Sequence, residues 1–286
     1  MRVMSTLALV ALCGSATLVP AQNQRNDDSF TWNGRVSAGN TVRIHNLAGA
    51  INVERSGSGQ VEVVGQKTYR RGDPADVRFE VVPSGDGVTI CAIWYEGNCT
   101  GDGVKSESRR GNDNENRNND VSVTFTVRVP AGVRIEASGV SANVSVTGAT
   151  AGIAAHSVSG DVTATDVSGD IRVNSVSGDV KVTGASTGSI QANSVSGDIE
   201  VGIDQLTGSS DLTFSTVSGD VDITLPSGLN ATVRMSTLSG ELESDFPLIT
   251  EGDLSERRRN VEARIGSGGR VLKFNSVSGN VTLRRG

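Results

Sequence analysis

Residues 156–182 read HSVSGDVTATDVSGDIRVNSVSGDVKV, and this stretch decides the fold. Val158-Ser-Gly-Asp161 recurs as Val167-Ser-Gly-Asp170, Val176-Ser-Gly-Asp179, Val195-Ser-Gly-Asp198 and Val217-Ser-Gly-Asp220. Looser copies stand at Val140-Ser-Ala-Asn143, Leu238-Ser-Gly-Glu241 and Val277-Ser-Gly-Asn280. The fourth position falls at 143, 161, 179, 198, 220 and 241, in steps of 18, 18, 19, 22 and 21. A second set of glycines lies between, at 152, 169, 188, 208 and 228. One unit is therefore about twenty residues with a turn at each half, the self-similarity of a repeat architecture.

Each half-unit reads as a short strand. Ile171 and Val173, Val180 and Val182, Ile199, Val201 and Ile203, and Val221, Ile223 and Leu225 alternate with mostly polar residues. Period two over such lengths means a strand with one buried face. The Val before each Ser-Gly breaks the alternation. A corner at Ser-Gly-Asp would turn the chain and reset the count, with Gly supplying a positive φ and Asp bonding its own backbone. No helical segment separates the units. The expected fold is all-β: a β-solenoid, parallel β-helix-like, in which coils bury Val and Ile against their neighbours. Taken in chain order, five steps at about 4.8 Å make a rod of roughly 24 Å. The alternative is a sandwich of antiparallel hairpins, which the nine-residue spacing of the three central turns would also suit.

Composition agrees with a thin aliphatic core. The chain has 286 residues with 35 Gly, 6 Pro and only ten aromatics. Collagen is excluded, because Gly has no period of three and Pro is scarce. A formal net charge of −6 with no basic stripe gives no electrostatic footprint for nucleic acid.

The chain divides into three segments. Residues 1–21 read as a secretory signal peptide: Met1-Arg2, an apolar run from Val3 to Val19, and small residues at Val19 and Ala21 before Gln22. A membrane-spanning anchor is disfavoured by the short run and its break at Cys13-Gly14-Ser15, and a lipoprotein signal at Cys13 by the preceding Leu12. Cleavage removes Arg2, moves the net charge to −7 and leaves Cys91 and Cys99. An even pair in an exported chain reads as a disulfide, with two buried free thiols as the alternative. No transmembrane span then remains, and the expected location is periplasmic, cell surface or extracellular. Residues 22–130 form an N-terminal β region, clearest at Thr41–His45, Gln60–Val64 and Val121–Val129, with a polar insertion at 100–120. Residues 131–286 form the repeat region. Within it, residues 251–264, with Arg257-Arg-Arg259, read as a loop or short helix capping the end.

Signatures of chemistry are few. There is no Gly-x-Ser-x-Gly elbow, no His-Glu-x-x-His, no phosphate-binding glycine loop and no cofactor motif. The two histidines, His45 and His156, sit at polar or small-residue positions of strand-like stretches, as surface histidines do. One constellation stands out. A solenoid stacks Asp161, Asp179, Asp198, Asp220 and Glu241 along one corner, where the four aspartates are the candidate ligands if calcium binds. The alternative is that each Asp completes its own turn and faces water. The strand positions expected outside, Thr163, Thr165, Arg172, Asn174, Lys181, Thr183 and Gln191, make a flat polar face suited to a surface glycan, a protein or another envelope component.

Three features together resemble a known family. They are Val129-Pro-Ala-Gly-Val-Arg-Ile135 leading into Ser-Val-Ser-Gly-Asp-(Val/Ile) units, the opening Phe30-x-Trp-x-Gly34 with Asn46-Leu-Ala-Gly49, and the closing Phe274-Asn-Ser-Val-Ser-Gly-Asn-Val-Thr-Leu283. The chain resembles the bacterial "putative adhesin" family of secreted β-strand-repeat proteins, a domain of unknown function, over about residues 30–286. The resemblance implies an exported β-solenoid with no established catalytic residues. The expected function is a non-enzymatic adhesin or envelope protein. The alternatives are a polysaccharide-active enzyme on a β-helix and a calcium-stabilised binding module.

Overall fold

The computed structural model describes residues 28–94, 97–105, 119–250 and 260–286. The signal-peptide segment, most of the 100–120 insertion and Arg257–Arg259 lie outside the described residues. What is described is β-structure, with one 3₁₀ turn at Pro74–Asp76.

The repeats stack as coils, each strand parallel to its neighbours above and below. On one side Ile153–Ser157 pairs with Ile171–Ser175, then Ile190–Asn193, then Leu212–Ser215. On the other Val162–Thr165 pairs with Val180–Thr187, then Ile199–Leu206, then Val221–Leu225. The register is in step: Ile153, Ile171, Ile190 and Leu212 face one another, as do Val162, Val180, Ile199 and Val221. Equivalent positions fall on the same side because the strands pair from the same position of each unit, 18, 19 or 22 residues apart, and alternate with period two. Their side chains meet in one aliphatic core.

Two long strands run through the corner and join both sides. Thr41–Arg55 pairs with Arg134–Thr147 over twelve registered positions, from Thr41↔Arg134 to Val53↔Val146. Residues 41–55 thus stack directly on the first repeat and share its core. Beyond them lie Gly87–Trp94 and Ser122–Val129, both parallel to Thr41–Arg55. Antiparallel strands Val77–Ser84, Val61–Thr68 and Ser29–Gly34 complete that end.

The other end departs from chain order. The coil of Arg270–Asn275 and Val281–Arg285 inserts between the coil of 212–225 and that of 231–244. The stack is therefore one rung longer than the chain-order reading, and the last copy of the motif precedes Leu238-Ser-Gly-Glu241 in space. Phe214 and Phe274 give the physical reason: they are register partners and stack at 5.2 Å and 15° inside the core. A second correction concerns 251–264. Asn260–Ile265 is a strand antiparallel to Ala231–Ser236, and Leu248–Thr250 pairs with it in turn. Turned strands thus cover the outer edge of the Ala231–Ser236 half of that coil, which an open parallel ladder would leave unpaired.

Candidate functional site

The corner is built from five residues, each with a separate task. In Ser175-Val-Ser-Gly-Asp179, the buried Ser175 hydroxyl donates to Gly160 O of the previous coil at 2.9 Å and accepts from Gly178 N at 3.0 Å. Ser157 and Ser194 repeat this bracket, to Ala142 O and Gly178 O. The bracket satisfies a buried donor and a buried acceptor at each of these three turns. It lapses at Thr216, Thr237 and Ser276, whose hydroxyls are buried without a partner.

At Gly160, Gly178 and Gly197 the corner glycine is required for closeness and not for the expected positive φ, whereas Gly219 (φ 156°) and Gly279 (φ 155°) combine the two. Gly160, Gly178 and Gly197 are not among the positive-φ residues. A Cβ on Gly178 would lie 2.3 Å from Gly160 O, and one on Gly197 2.2 Å from Gly178 O. The opposite corner has positive φ at Gly152 (95°) and at Gly169 (88°), the latter in Val167-Ser-Gly-Asp170 as the motif led one to expect.

The corner acids form a hydrogen-bonded ladder. Asp161 Oδ1 accepts from Asp179 N at 3.0 Å, Asp179 Oδ1 from Asp198 N at 2.9 Å, and Asp198 Oδ1 from Asp220 N at 2.8 Å. Asp220 Oδ1 continues to Asn280 N, and Asn280 Oδ1 to Glu241 N. At the near end Asn143 Oδ1 accepts from Asp161 N at 3.1 Å. Each side chain thus caps the next coil, and Asn143 and Asn280 do so with an amide oxygen. Among the described residues no group of three or more His, Cys, Asp or Glu is arranged to hold a metal ion.

The valine of each motif faces solvent. Val140, Val158, Val176, Val195, Val217 and Val277 are each 42–46 % exposed, and Leu238 61 %. Backbone bonds stack them in register: Ser177 N donates to Val158 O, Ser196 N to Val176 O, Ser218 N to Val195 O, Ser278 N to Val217 O and Ser239 N to Val277 O. The outcome is a continuous aliphatic row beside the acid row. By contrast Val167, in the same four-letter motif at the opposite corner, is fully buried.

Across the outer face, strands carry two polar rows. One runs through Arg172, Gln191, Thr213 and Lys273; the other through His156, Asn174, Asn193, Ser215 and Asn275. The second is itself bonded: Asn174 Nδ2 donates to His156 Nδ1 at 2.8 Å, Asn193 Nδ2 to Asn174 Oδ1 at 2.5 Å, and Asn275 Nδ2 to Ser215 Oγ at 3.2 Å. An amide nitrogen only donates, so His156 Nδ1 accepts and the ring is neutral with its proton on Nε2. Burial lowers the His156 pKa, opposed by Glu136 and reinforced by Arg172. The single polar face expected from the sequence divides between two sides: Thr163, Thr165, Lys181 and Thr183 lie on the other side of the stack, where Glu200 pairs with Lys181 and Asp222 with Arg284, while Glu262 pairs with Arg234 at the end of the polar rows.

Ala154 leaves a gap in the first row, between Glu136 and Arg172. A polar hollow of about 280 Å³ opens there, walled by Arg43, Arg134, Glu136, Asp170 and Arg172. Arg43 is held by Asp86 at 2.9 Å and Glu136 at 3.1 Å. The Arg43 hydrogen bond holds the Asp86 carboxyl down to about 2.

His45 is on the same row as Ser138 and Cys91. Cys91 and Cys99 are joined by a disulfide, with Cα atoms 5.9 Å apart. The bond ties the hairpin of Asn98–Thr100 and Gly103–Lys105 to the outer face, where Thr89 also donates to Gly101 O at 2.8 Å. Gly103 lies over the imidazole: a Cβ there would be 2.8 Å from His45 Cε1. Burial lowers the His45 pKa, opposed by Glu136. The sequence signals the outward strand positions by alternation. It leaves unread the serine bracket and the half-burial of both histidines, although the Ser before each corner Val marks the first.

A family model described as Toastrack DUF4097 matches residues 115–284, more than half of the chain. Solved structures with which the chain aligns include two bacterial proteins. One is named a "putative adhesin" from Bacteroides fragilis, 16 % identical, covering 91 % of this chain and 98 % of its own, with a TM-score of 0.44. The other is named a "putative cell adhesion protein" from Clostridium sporogenes, 10 % identical, covering 90 % of this chain and all of its own, with a TM-score of 0.40. No curated protein matches the chain.

Proposed function

The chain belongs to the Toastrack DUF4097 family, and we propose that it works as an exported, non-enzymatic, adhesin-like binding protein. Its binding surface is the flat polar face, and its target a hydroxyl-rich glycan of the cell envelope. One observation carries this reading: the two outward rows are locked in register, presenting Arg, Gln, Asn and His side chains at a coil spacing of about 4.8 Å. A regular array of donors and acceptors at one spacing suits a polymer with repeated hydroxyls. Two further points support export: the leader-like residues 1–21 and the Cys91–Cys99 disulfide, a bond typical of oxidising compartments. No helix among the described residues is long and apolar enough to cross a membrane. Bound calcium is not required by this reading, because the corner acids already serve as caps.

The test is glycan-array binding combined with product analysis. Binding that falls at least tenfold in a Gln191→Ala/Asn193→Ala variant of unchanged melting temperature supports the polar face. Binding that ignores these changes overturns it. Release of a cleaved product overturns the non-enzymatic reading.

A further inference from the structure

The aliphatic corner row has no partner among the described residues, and its physical form restricts what can cover it. Seven side chains from Val140 to Leu238, each at least 42 % exposed, present together roughly 500 Å² of apolar surface, as much as the largest patch on a typical monomer. The row is locked by backbone bonds from rung to rung, and its rungs repeat at about 4.8 Å. An α-helix laid along it advances about 5.4 Å per turn, so its apolar stripe slips nearly a whole rung over the row. An extended strand presents same-face side chains about every 6.6 Å and matches still less well. Another β-stack has the same period. The one available with identical rungs is a second copy of this chain, whose matching period lets every rung be covered at once.

Charge decides how the copies are turned. The aliphatic row lies between the acid row, three residues after each Val, and the His156/Asn174/Asn193 row, two residues before it. None of Asp161, Asp179, Asp198, Asp220 or Glu241 has an ion-pair partner among the described residues. A two-fold axis across the stack would set acid row against acid row. An axis along the stack sets each acid row against the amide row of the other copy, where Asn N–H groups donate.

We propose that this chain self-associates through the corner valines, as a two-fold dimer of parallel stacks. Pairing the patches removes roughly 1,000 Å² from water, at the lower edge of specific interfaces, so the dimer is weak and reversible. The contact is isologous: each rung meets its own copy. The His156/Asn174/Asn193 row borders both surfaces, but self-association rests on the valines, so the lysine variants below test it apart from glycan binding.

Sedimentation velocity of the purified protein over a concentration series tests it. The expected result is a monomer–dimer equilibrium with a Kd in the micromolar range, weakened at least tenfold in Val176→Lys/Val195→Lys with an unchanged melting curve. Orientation is read by cysteine cross-linking. Val140→Cys, at one end of the row, forms a disulfide-linked dimer with itself only if the stacks run the same way. Val64→Cys, similarly exposed but off the row, does not. A wild-type protein that stays monomeric to millimolar concentration overturns the proposal. So does association unchanged by the lysines, or cross-linking of Val140→Cys with Leu238→Cys in place of itself.

Discussion

Replacing Gly178 by Ala adds one methyl group to the tightest part of the corner. Its carbon would stand 2.3 Å from Gly160 O, 2.6 Å from Gly160 C and 2.9 Å from Asp161 N, where ordinary contact begins at 3.4 Å. All three atoms are backbone of the previous coil, so no side chain can swing away. The coils must part by about 1 Å at the corner, beyond hydrogen-bond range for contacts now near 3 Å. Three bonds cross this gap: Ser175 Oγ to Gly160 O at 2.9 Å, Ser177 N to Val158 O at 2.9 Å and Asp179 N to Asp161 Oδ1 at 3.0 Å. At about 1 kcal/mol each, the loss is about 3 kcal/mol. For a chain of this size that lowers the melting temperature by about 6–12 °C. Thermal unfolding followed by circular dichroism reads the shift. Two companion variants separate the causes. Gly57→Ala, with nothing within 4 Å and no positive φ, is expected to melt with the wild type. Gly208→Ala, equally open but at φ 61°, costs about 1–2 kcal/mol from backbone strain alone. A Gly178→Ala protein that melts within a degree or two of wild type would refute the argument that close coil approach dictates glycine here.

Two further outcomes follow from the site. Asp179→Asn keeps the oxygen that caps Asp198 N, as Asn143 and Asn280 do for their neighbours, and is expected to stay within about 0.5 kcal/mol of wild type; Asp179→Ala loses about 1 kcal/mol, and chemical denaturation distinguishes the two. Stability falls with acid: the folded pKa values of His45 and His156 lie below the ordinary value of about 6.5, so the unfolded state binds protons first and stability is lost as pH drops from about 7 through the folded values. Asp86, held at about 2, adds a loss in the same direction at lower pH. Melting temperatures between pH 7.5 and 5 check the first window, and a temperature that rises on acidification across it would contradict the sign.

Much of the architecture is written in one dimension. Alternation at Ile171/Val173 and Val180/Val182 identifies the strands, and the spacing of Val158, Val176 and Val195 identifies the coil. Local rules suffice there, since a strand's faces and a repeat's period follow from neighbours along the chain. The candidate surfaces were legible in part. Arg172, Asn174 and Gln191 face outward as alternation requires, whereas the half-burial of His45 depends on a hairpin folded back through Cys99.

What the sequence determines by itself is thus the coil: its strands, its length and its composition, with glycine in the corners and Val and Ile in place of aromatics. Tertiary structure decides everything that depends on which coil lies next to which. Val158 and Val167 begin the same four letters, yet one is exposed and the other fully buried, because they occupy opposite corners. Gly178 needs no unusual φ, and only the carbonyl of Gly160 above it excludes a side chain. The final repeat enters the stack ahead of Leu238, because Phe274 finds Phe214 across 60 residues of chain. Equivalent repeats carry equivalent local signals, so their order in space is settled by the contacts between coils.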